Sequence, residues 1–578
     1  MLIRRRWACT LRTGVCGLLA TLLSTKILKA QPERDSPALL RCDGRPVTRV
    51  EIVRASRQVL DRARVPGVVR RAVAPLLIGT PSRSNSITPW LLLREGQECT
   101  EWRRAESERL LRTLPYLADA TVSVVEEGNG VAIVVETVDD LRPIIGLGVR
   151  GTAVTSAEFG STSIDGSGQL ASVRWQEGRA YRDGLGLRYT HYHALGGPNL
   201  ASLVAQRAPQ GELLMATLTR PFASSVQRFA AFTGVAREDE YVRFVRESDA
   251  PLSVAVRRER ADVGFATRVT SATRETWLLG AVMGWDRRRV DGQAVELTDT
   301  GRVVVPNDEL DERFANGEAF RVGVVGGLRA LSFAKARAFD GLEAVQDVAR
   351  GAQLLLTVGR SLQGTEVGPF VRGDVFLGVG TASSYLGLQL RGDARRVGSD
   401  FRESVLSGRL AWYARPTDRQ TRVWSAEYTG ASTARVPYQL SFGDDETGLR
   451  GYRASRAGGG RRLVLRAERR LLMPSLGESL AWGVAAFSDV GQLWAGGVPF
   501  GVNAFRAGAG VSLLAAVPRR SRSVARVDLA YPLVPDAQAK GLDVRVTYRL
   551  ASRLFWREPA GIARARAAVP TSDVFTWP

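Results

Sequence analysis

Leu542–Leu550 reads LDVRVTYRL: Val544, Val546, Tyr548 and Leu550 fall on one side of an extended chain, and Arg545, Thr547 and Arg549 on the other. Such a strand has one apolar face and one charged face, and the fold is decided by what each face meets. The same alternation recurs upstream. In ARVDLAYPL (525–533) Val527, Leu529 and Tyr531 oppose Arg526, Asp528 and Ala530, and in SYLGLQLRG (384–392) Leu386, Leu388 and Leu390 oppose Gly387, Gln389 and Arg391. In DGLGLRYTHYHAL (183–195) Leu185, Leu187 and Tyr189 share a face opposite Arg188 and Thr190. From about Asp140 onward these strand-length segments, separated by Gly, Asp, Asn and Ser clusters, replace any helical period.

A soluble sandwich with one wet face is one home for such strands, and a membrane barrel is the other. Three features favour the barrel. The polar partners are often arginine or glycine, no second domain is large enough to cover so many apolar faces, and the chain reads as exported without a spanning helix. Trp412, Trp424, Tyr428, Trp482 and Trp494 lie near segment ends or on the apolar phase, as an interfacial girdle requires. Residues 142–555 then hold about 16 antiparallel strands at roughly 9–11 residues per tilted crossing plus loops.

Composition bounds the alternatives. The 578 residues include 59 Gly, 44 % hydrophobic and 24 % charged residues, with only 2 His and 4 Cys, which argues against histidine-driven catalysis or a large metal site. The net charge of +21 would suit a polyanion. Yet only four of the 80 basic residues are lysine (Lys26, Lys29, Lys335, Lys540) and the arginines are spread evenly, so nucleic acid is not expected as a partner. No nucleophile–base set is present, no enzyme activity or cofactor is expected, and the glycine-rich GAGVS (508–512) and AGGGRR (457–462) lack the strand–loop–helix setting of a phosphate cradle. His191 and His193 are two apart on one strand face, but no third ligand accompanies them, and an interfacial position is expected instead of a metal site.

The N-terminus has another rhythm. MLIRRRWACTLR, the apolar TGVCGLLATLL and LKA before Gln31 read as a signal peptide over 1–30, followed by a linker over 31–45. Its removal would leave Cys42 and Cys99, a possible disulfide. Over 46–140 the pattern is β-α-α-β-β: VTRVEIV (47–53), a helical stretch at 59–77, TEWRRAESERLLRTLPYL (100–117) with Thr100 as N-cap and Trp102, Leu110, Leu111 and Leu114 apolar, then ATVSVVEEGNGVAIVVETV (120–138) as a hairpin turning at Gly128-Asn129-Gly130.

GDDETGLRGYRASR (443–456) sits in a loop of about thirty residues, 431–461, between TRVWSAEYTG and RLVLRAERRLL. Its glycines suit a loop folded back into the barrel. Such a loop needs an anchor, and the planar guanidinium of Arg450 fits a carboxylate on an inward-facing phase. Two candidates follow: Glu468, in phase with Arg466 and Arg470, and Asp489, in phase with Phe487 and Gly491.

LRGY (449–452), the Glu468-x-Arg470 pair and FSDVG (487–491) resemble, in order and strand placement, the barrel motifs of the BamA/TamA superfamily of outer-membrane assembly and translocation proteins, the bacterial surface antigens. ATLTRPF (216–222) and ARVDLAYPL look similar to that family too, and 46–140 resembles a single POTRA domain. The resemblance implies that Arg450, flanked by Gly451 and Tyr452, reaches into the lumen to meet Asp489, with Glu468 as neighbour. It further implies an outer-membrane protein, its N-terminal domain in the periplasm, that inserts or translocates other proteins. Its partners would be unfolded outer-membrane or exported clients, outer-membrane lipids, and periplasmic chaperones or accessory proteins. A client strand would add to the sheet edge along 120–138, and the first and last barrel strands, near 142–152 and 542–555, would part to template it. A passive porin and a secretion pore dedicated to one exported partner are the alternatives. The chain departs from the family in carrying one POTRA-like domain and a tail, 556–578, expected either in the lumen or free in the periplasm.

Overall fold

The computed structural model describes residues 42–54 and 81–550 apart from short gaps at 142, 151–152, 179–180, 209, 225, 271–274, 398–399, 433–435, 445–446, 478 and 535, together with Glu558, Ile562, Ala563 and Arg566. The signal peptide, most of the linker and the helical stretch at 59–77 lie outside these residues.

The N-terminal domain is a four-stranded sheet of β1 (Asp43–Arg54), β2 (Glu98–Thr100), β3 (Leu117–Glu127) and β4 (Gly130–Asp139) in the order β2-β1-β4-β3, with helices α1 (Ser84–Ile87) and α2 (Glu101–Thr113). β1 runs parallel to β4, and β3 returns antiparallel through a turn whose first central residue, Gly128, takes φ +60°. The Thr100 side chain accepts from the Arg103 N–H at the start of α2. The helix stops at Thr113, short of the expected 117, because Pro115 disfavours helical backbone at Leu114, which is extended at φ −70°, ψ 126°. Leu110, Leu111 and Leu114 pack on Val122, Ile133 and Val135 in one apolar core, whereas Trp102, expected beside them, is exposed. Cys42 and Cys99 are bonded, with Cα atoms 5.0 Å apart.

The edge of this sheet differs from expectation. β4 lies between β1 and β3, so only β3 of the 120–138 hairpin is an edge. Arg104, Glu108 and Arg112, spaced along one face of α2, turn back onto that edge. Arg104 Nη1 donates to Val122 O (2.7 Å), Val122 N to Glu108 Oε2 (3.2 Å) and Arg112 Nη1 to Ala120 O (3.1 Å). Helix side chains therefore satisfy backbone groups that an added strand would need.

The remaining strands close on themselves. Twenty-one strands form a closed sheet, of which Gly301–Val304 is a short flap on the end of Glu275–Thr298; that strand also pairs directly with Gly317–Arg337, leaving twenty staves among the described residues. The expected barrel is present, but with more staves than about 16. The excess arises where the chain is most economical: six staves fit into residues 143–220 because each is only 8–10 residues long. On the far side Glu275–Thr298, Gly317–Arg337 and Val345–Gly364 run for 24, 21 and 20 residues. Pro143–Arg150 and Asp543–Leu550 meet at the seam, each eight residues long.

Alternation assigns the faces. Leu185, Leu187, Leu529, Tyr531, Val544 and Val546 are exposed on the outside, while Asp528 and Asp489 are buried within. A closed barrel with an apolar outside and charged inside spans a membrane, and an even-numbered single-chain barrel of this kind is a bacterial outer-membrane structure. No helix among the described residues is long and apolar enough to cross a membrane.

The N-terminal domain seats on the barrel end from which the chain enters. Arg112 donates from Nε and Nη2 to the two carboxylate oxygens of Asp347 (2.8 and 2.7 Å), and Lys335 pairs with Glu108. Arg109 donates to Ala223 O (2.9 Å) and stacks 4.2 Å from the Phe333 ring centroid. Arg522 Nη2 reaches Leu114 O (2.6 Å), and Ser521 Oγ donates to Asp140 (2.6 Å). His193 lies beside this seat, within the barrel: its Nε2–H donates to Ser167 O (2.6 Å), its ring lies edge-on to His191, and a Cβ on Gly168 would meet both it and Ser86 of the domain.

Candidate functional site

The strand Gln420–Ser432 ends at the barrel end opposite the domain, and the next, Arg461–Leu472, starts there. The loop between them folds into the lumen. Its own sequence makes this possible: Leu440 and Ser441 pair with Gly459 and Gly458 as a miniature ladder, and Gly451 takes φ +89°, a conformation that favours glycine. Leu440, Phe442, Leu449 and Tyr452 are buried together, so the loop carries an apolar core of its own into the barrel.

Arg450 is held at the tip. Its Nε and Nη2 donate to Asp489 Oδ2 (2.7 Å) and Oδ1 (2.6 Å), and Nη1 to Glu468 Oε2 (2.8 Å). Its backbone N–H also donates to Asp489 Oδ2 (3.3 Å), and the guanidinium lies 3.6 Å from the Phe487 ring centroid. Every guanidinium nitrogen thus has a carboxylate partner, in the forked geometry that lysine could not reproduce. Asp489 is fully buried, which makes a paired cation obligatory for its charge.

Register explains how the residues meet. Arg461–Leu472 pairs with Ala481–Trp494 so that Arg466 lies opposite Asp489 and Glu468 opposite Phe487, all pointing inward on neighbouring staves. Gly491 leaves room for the loop: a Cβ there would stand 2.4 Å from Leu449 Cδ1 and 2.6 Å from Phe442 Cε1. The Tyr452 hydroxyl lies 2.6 Å from Ala507 O and 2.7 Å from Val534 O, fastening the loop to the neighbouring strands' ends.

Glu468 is the hub of a wider network. It accepts from Arg470 Nε (2.6 Å), and from Arg526 Nη1 and Nη2 (3.0 and 2.8 Å). Arg470 also donates to Phe339 O (2.7 Å). Arg526 has no assigned role in the sequence reading, although its inward phase in ARVDLAYPL was visible; what the sequence lacks is the information that this stave lies beside Glu468. Arg466 donates to the carbonyls of Thr447 and Gly448 (both 2.9 Å), and Arg462 to Asp444 (2.7 Å) and Thr447 Oγ1 (2.6 Å), so successive inward arginines of one strand stitch down the length of the loop.

The arrangement fixes the position of the loop against the wall. No cluster of three His, Cys, Asp or Glu suited to a metal occurs among the described residues.

Known family descriptions and curated proteins give no match to the chain. Solved structures similar to it include CdiB from Escherichia coli, with 12 % identity over 93 % of this chain and 97 % of that one and a TM-score of 0.44. BamA from Haemophilus ducreyi lacking POTRA domains 1–3 has 12 % identity over 87 % and 85 %, with a TM-score of 0.38, and CdiB from Acinetobacter baumannii 8 % over 87 % and 74 %, with a TM-score of 0.40. Likeness at this level transfers no function, which has to be argued from the site.

Proposed function

We propose that the protein inserts or translocates other proteins at the outer membrane, with the N-terminal domain capturing client strands and the seam between Pro143–Arg150 and Asp543–Leu550 templating them. The observation that carries this reading is the Arg450 lock. The lock ties the loop to two buried carboxylates on neighbouring staves, which holds those staves in register, and a barrel that must open its wall elsewhere needs that.

The seam supports the same reading. Two eight-residue strands can exchange at most a short ladder, whereas Gly317–Arg337 and Val345–Gly364 are paired from Ala319–Gly364 to Arg337–Val345. The seam, with the other short staves of 143–220, is less costly to part than the long wall opposite, and parting it offers unsatisfied strand edges to a client. Capture at β3 requires Arg104, Glu108 and Arg112 to give up Ala120 and Val122 before an extended segment can take those backbone groups.

The test is reconstitution into vesicles and planar bilayers of the full chain, Arg450→Ala and a variant lacking residues 32–140, scoring insertion of an added unfolded barrel client alongside ion conductance. Client insertion that depends on both the N-terminal domain and Arg450 supports the proposal. Steady conductance without insertion would replace it with a porin, and passage of one exported protein alone would replace it with a dedicated secretion pore.

A further inference from the structure

Beyond the last strand, the described residues Glu558, Ile562 and Arg566 lie inside the barrel. Ile562 is fully buried, in the same apolar cluster as Phe442 and Leu449 of the inward loop. Arg566 N donates to Ile562 O (3.2 Å). The Arg566 guanidinium is seated on all sides. Nε donates to both Glu558 oxygens (2.9 and 2.8 Å), Nη2 to Ser407 Oγ (2.8 Å) and Arg391 O (3.1 Å), and Nη1 pairs with Asp393. From a more distant stave, Arg258 Nη2 donates to Arg566 O (3.3 Å).

An arginine taken out of water is costly unless its donors are met. Here the acceptors come from two adjacent strands, Ser384–Val397 and Asp400–Thr417, and from the tail itself, while Leu252–Arg268 secures its backbone. This is a built seat. The surrounding lumen is charged: Arg258 pairs with Asp286 (2.6 Å), and Arg321 and Arg288 pair with Glu366 (both 2.9 Å). Such a wall wets readily, so an apolar constriction does not exclude ions from it; an occupant must.

We propose that the tail, docked through Glu558, Ile562 and Arg566 against the lumen wall and the inward loop, is the pore's plug, and that its departure opens an aqueous path. The proposal is independent of the assembly reading, since it predicts conductance whether or not the barrel handles clients.

Planar-bilayer recordings of the full chain, a truncation ending at Arg557, Arg566→Glu and Ile562→Asp test it. Removal of the plug raises steady conductance severalfold, as expected when a charged lumen becomes continuous, and Arg566→Glu, which sets a carboxylate against Asp393 and Glu558, does the same. Heat-modifiable gel mobility reports that each barrel has formed. If the truncation does not fold, the two single substitutions, which touch no strand pairing, decide alone. Folded variants that conduct like the full chain overturn the proposal. A rise in conductance with client insertion unchanged upholds the plug, and loss of insertion with the plug in place bears only on the assembly reading.

Discussion

Arginine fastens the barrel twice, and the two closures are built differently. Within the lumen Arg450, on the loop that enters from the outer end, is enclosed by Asp489, Glu468 and Phe487, all contributed by strands of the wall, and its carboxylate partner is fully buried. At the inner end Arg112 divides itself among Glu108 of its own helix, the backbone of β3 and Asp347 of the barrel, beside the half-exposed Lys335. The first closure joins parts that have no other resting place. The second shares its acceptors with a sheet edge, so it can be exchanged for a different partner. A permanent fastening at one end and a releasable one at the other fit a machine that keeps its shape while admitting something from one side.

Breaking the outer closure has the largest effect. Arg450→Ala leaves Asp489 buried without its cation, a loss of about 3–5 kcal/mol for a severed buried pair. Thermal unfolding of the barrel in detergent should fall accordingly, and the double variant Arg450→Ala with Asp489→Ala should recover part of the loss; strict additivity of the two single changes would argue against the lock. At the inner end, Arg112→Ala should cost about 3 kcal/mol of domain docking, with hydrogen exchange rising at Ala120 and Val122 while the barrel amides stay protected. Equal protection in both proteins would show that the edge cap does not depend on Arg112.

Acidity separates the closures further. Asp140, in the segment joining domain and barrel, is pushed up to about 6 by burial, against the opposing pull of Ser521, the Leu141 N–H and Arg522. Undocking returns it toward its ordinary 3.8, so the docked form holds the extra proton between these values. Docking strength from this group is greatest below about 3.8 and falls as pH rises to about 6, by about 3 kcal/mol in all. Glu108 has the opposite sign: burial raises it, Arg112 and Lys335 more than offset that, and it lies at about 2, so its contribution is present above 4.5 and fades as pH falls toward 2. Domain release followed by limited proteolysis across pH 3–8 should lose its upper limb in Asp140→Asn and keep it in Glu108→Gln. The smallest change is Lys335→Ala, about 0.5 kcal/mol, because that ammonium is largely in water.

How much of this could be read without coordinates depended on whether the signal was local. Period-2 alternation around Val544, Leu529 and Leu386 is a local property, and the closed barrel with its apolar outside follows from it. Strand phase likewise puts Glu468 and Asp489 on the side that the loop enters. The stave count was missed because staves of 8–10 residues fall at or below the length assumed for a crossing. Arg526 beside Glu468 and Arg112 on Asp347 join residues 58 and 235 positions apart, and no pattern in either neighbourhood marks such a meeting. The capped edge of β3 is an instructive mixed case: the spacing of Arg104, Glu108 and Arg112 is plain in the helix, but on a helix surface it reads as solvated charge.

The eight-residue strands at the seam have a consequence for the lipid. At about 3.3 Å per residue and a tilt near 45°, such a strand rises only about 19 Å along the membrane normal, less than the roughly 25 Å apolar band of an outer-membrane barrel. The long staves opposite exceed that band with residues to spare. Acyl chains beside the seam must therefore compress or splay to match it, at a cost of a fraction of a kcal/mol per Å of mismatch. The bilayer is weakened over the arc of short staves that runs from the seam through residues 143–220, and a strand entering there meets a thinner barrier than along the long staves.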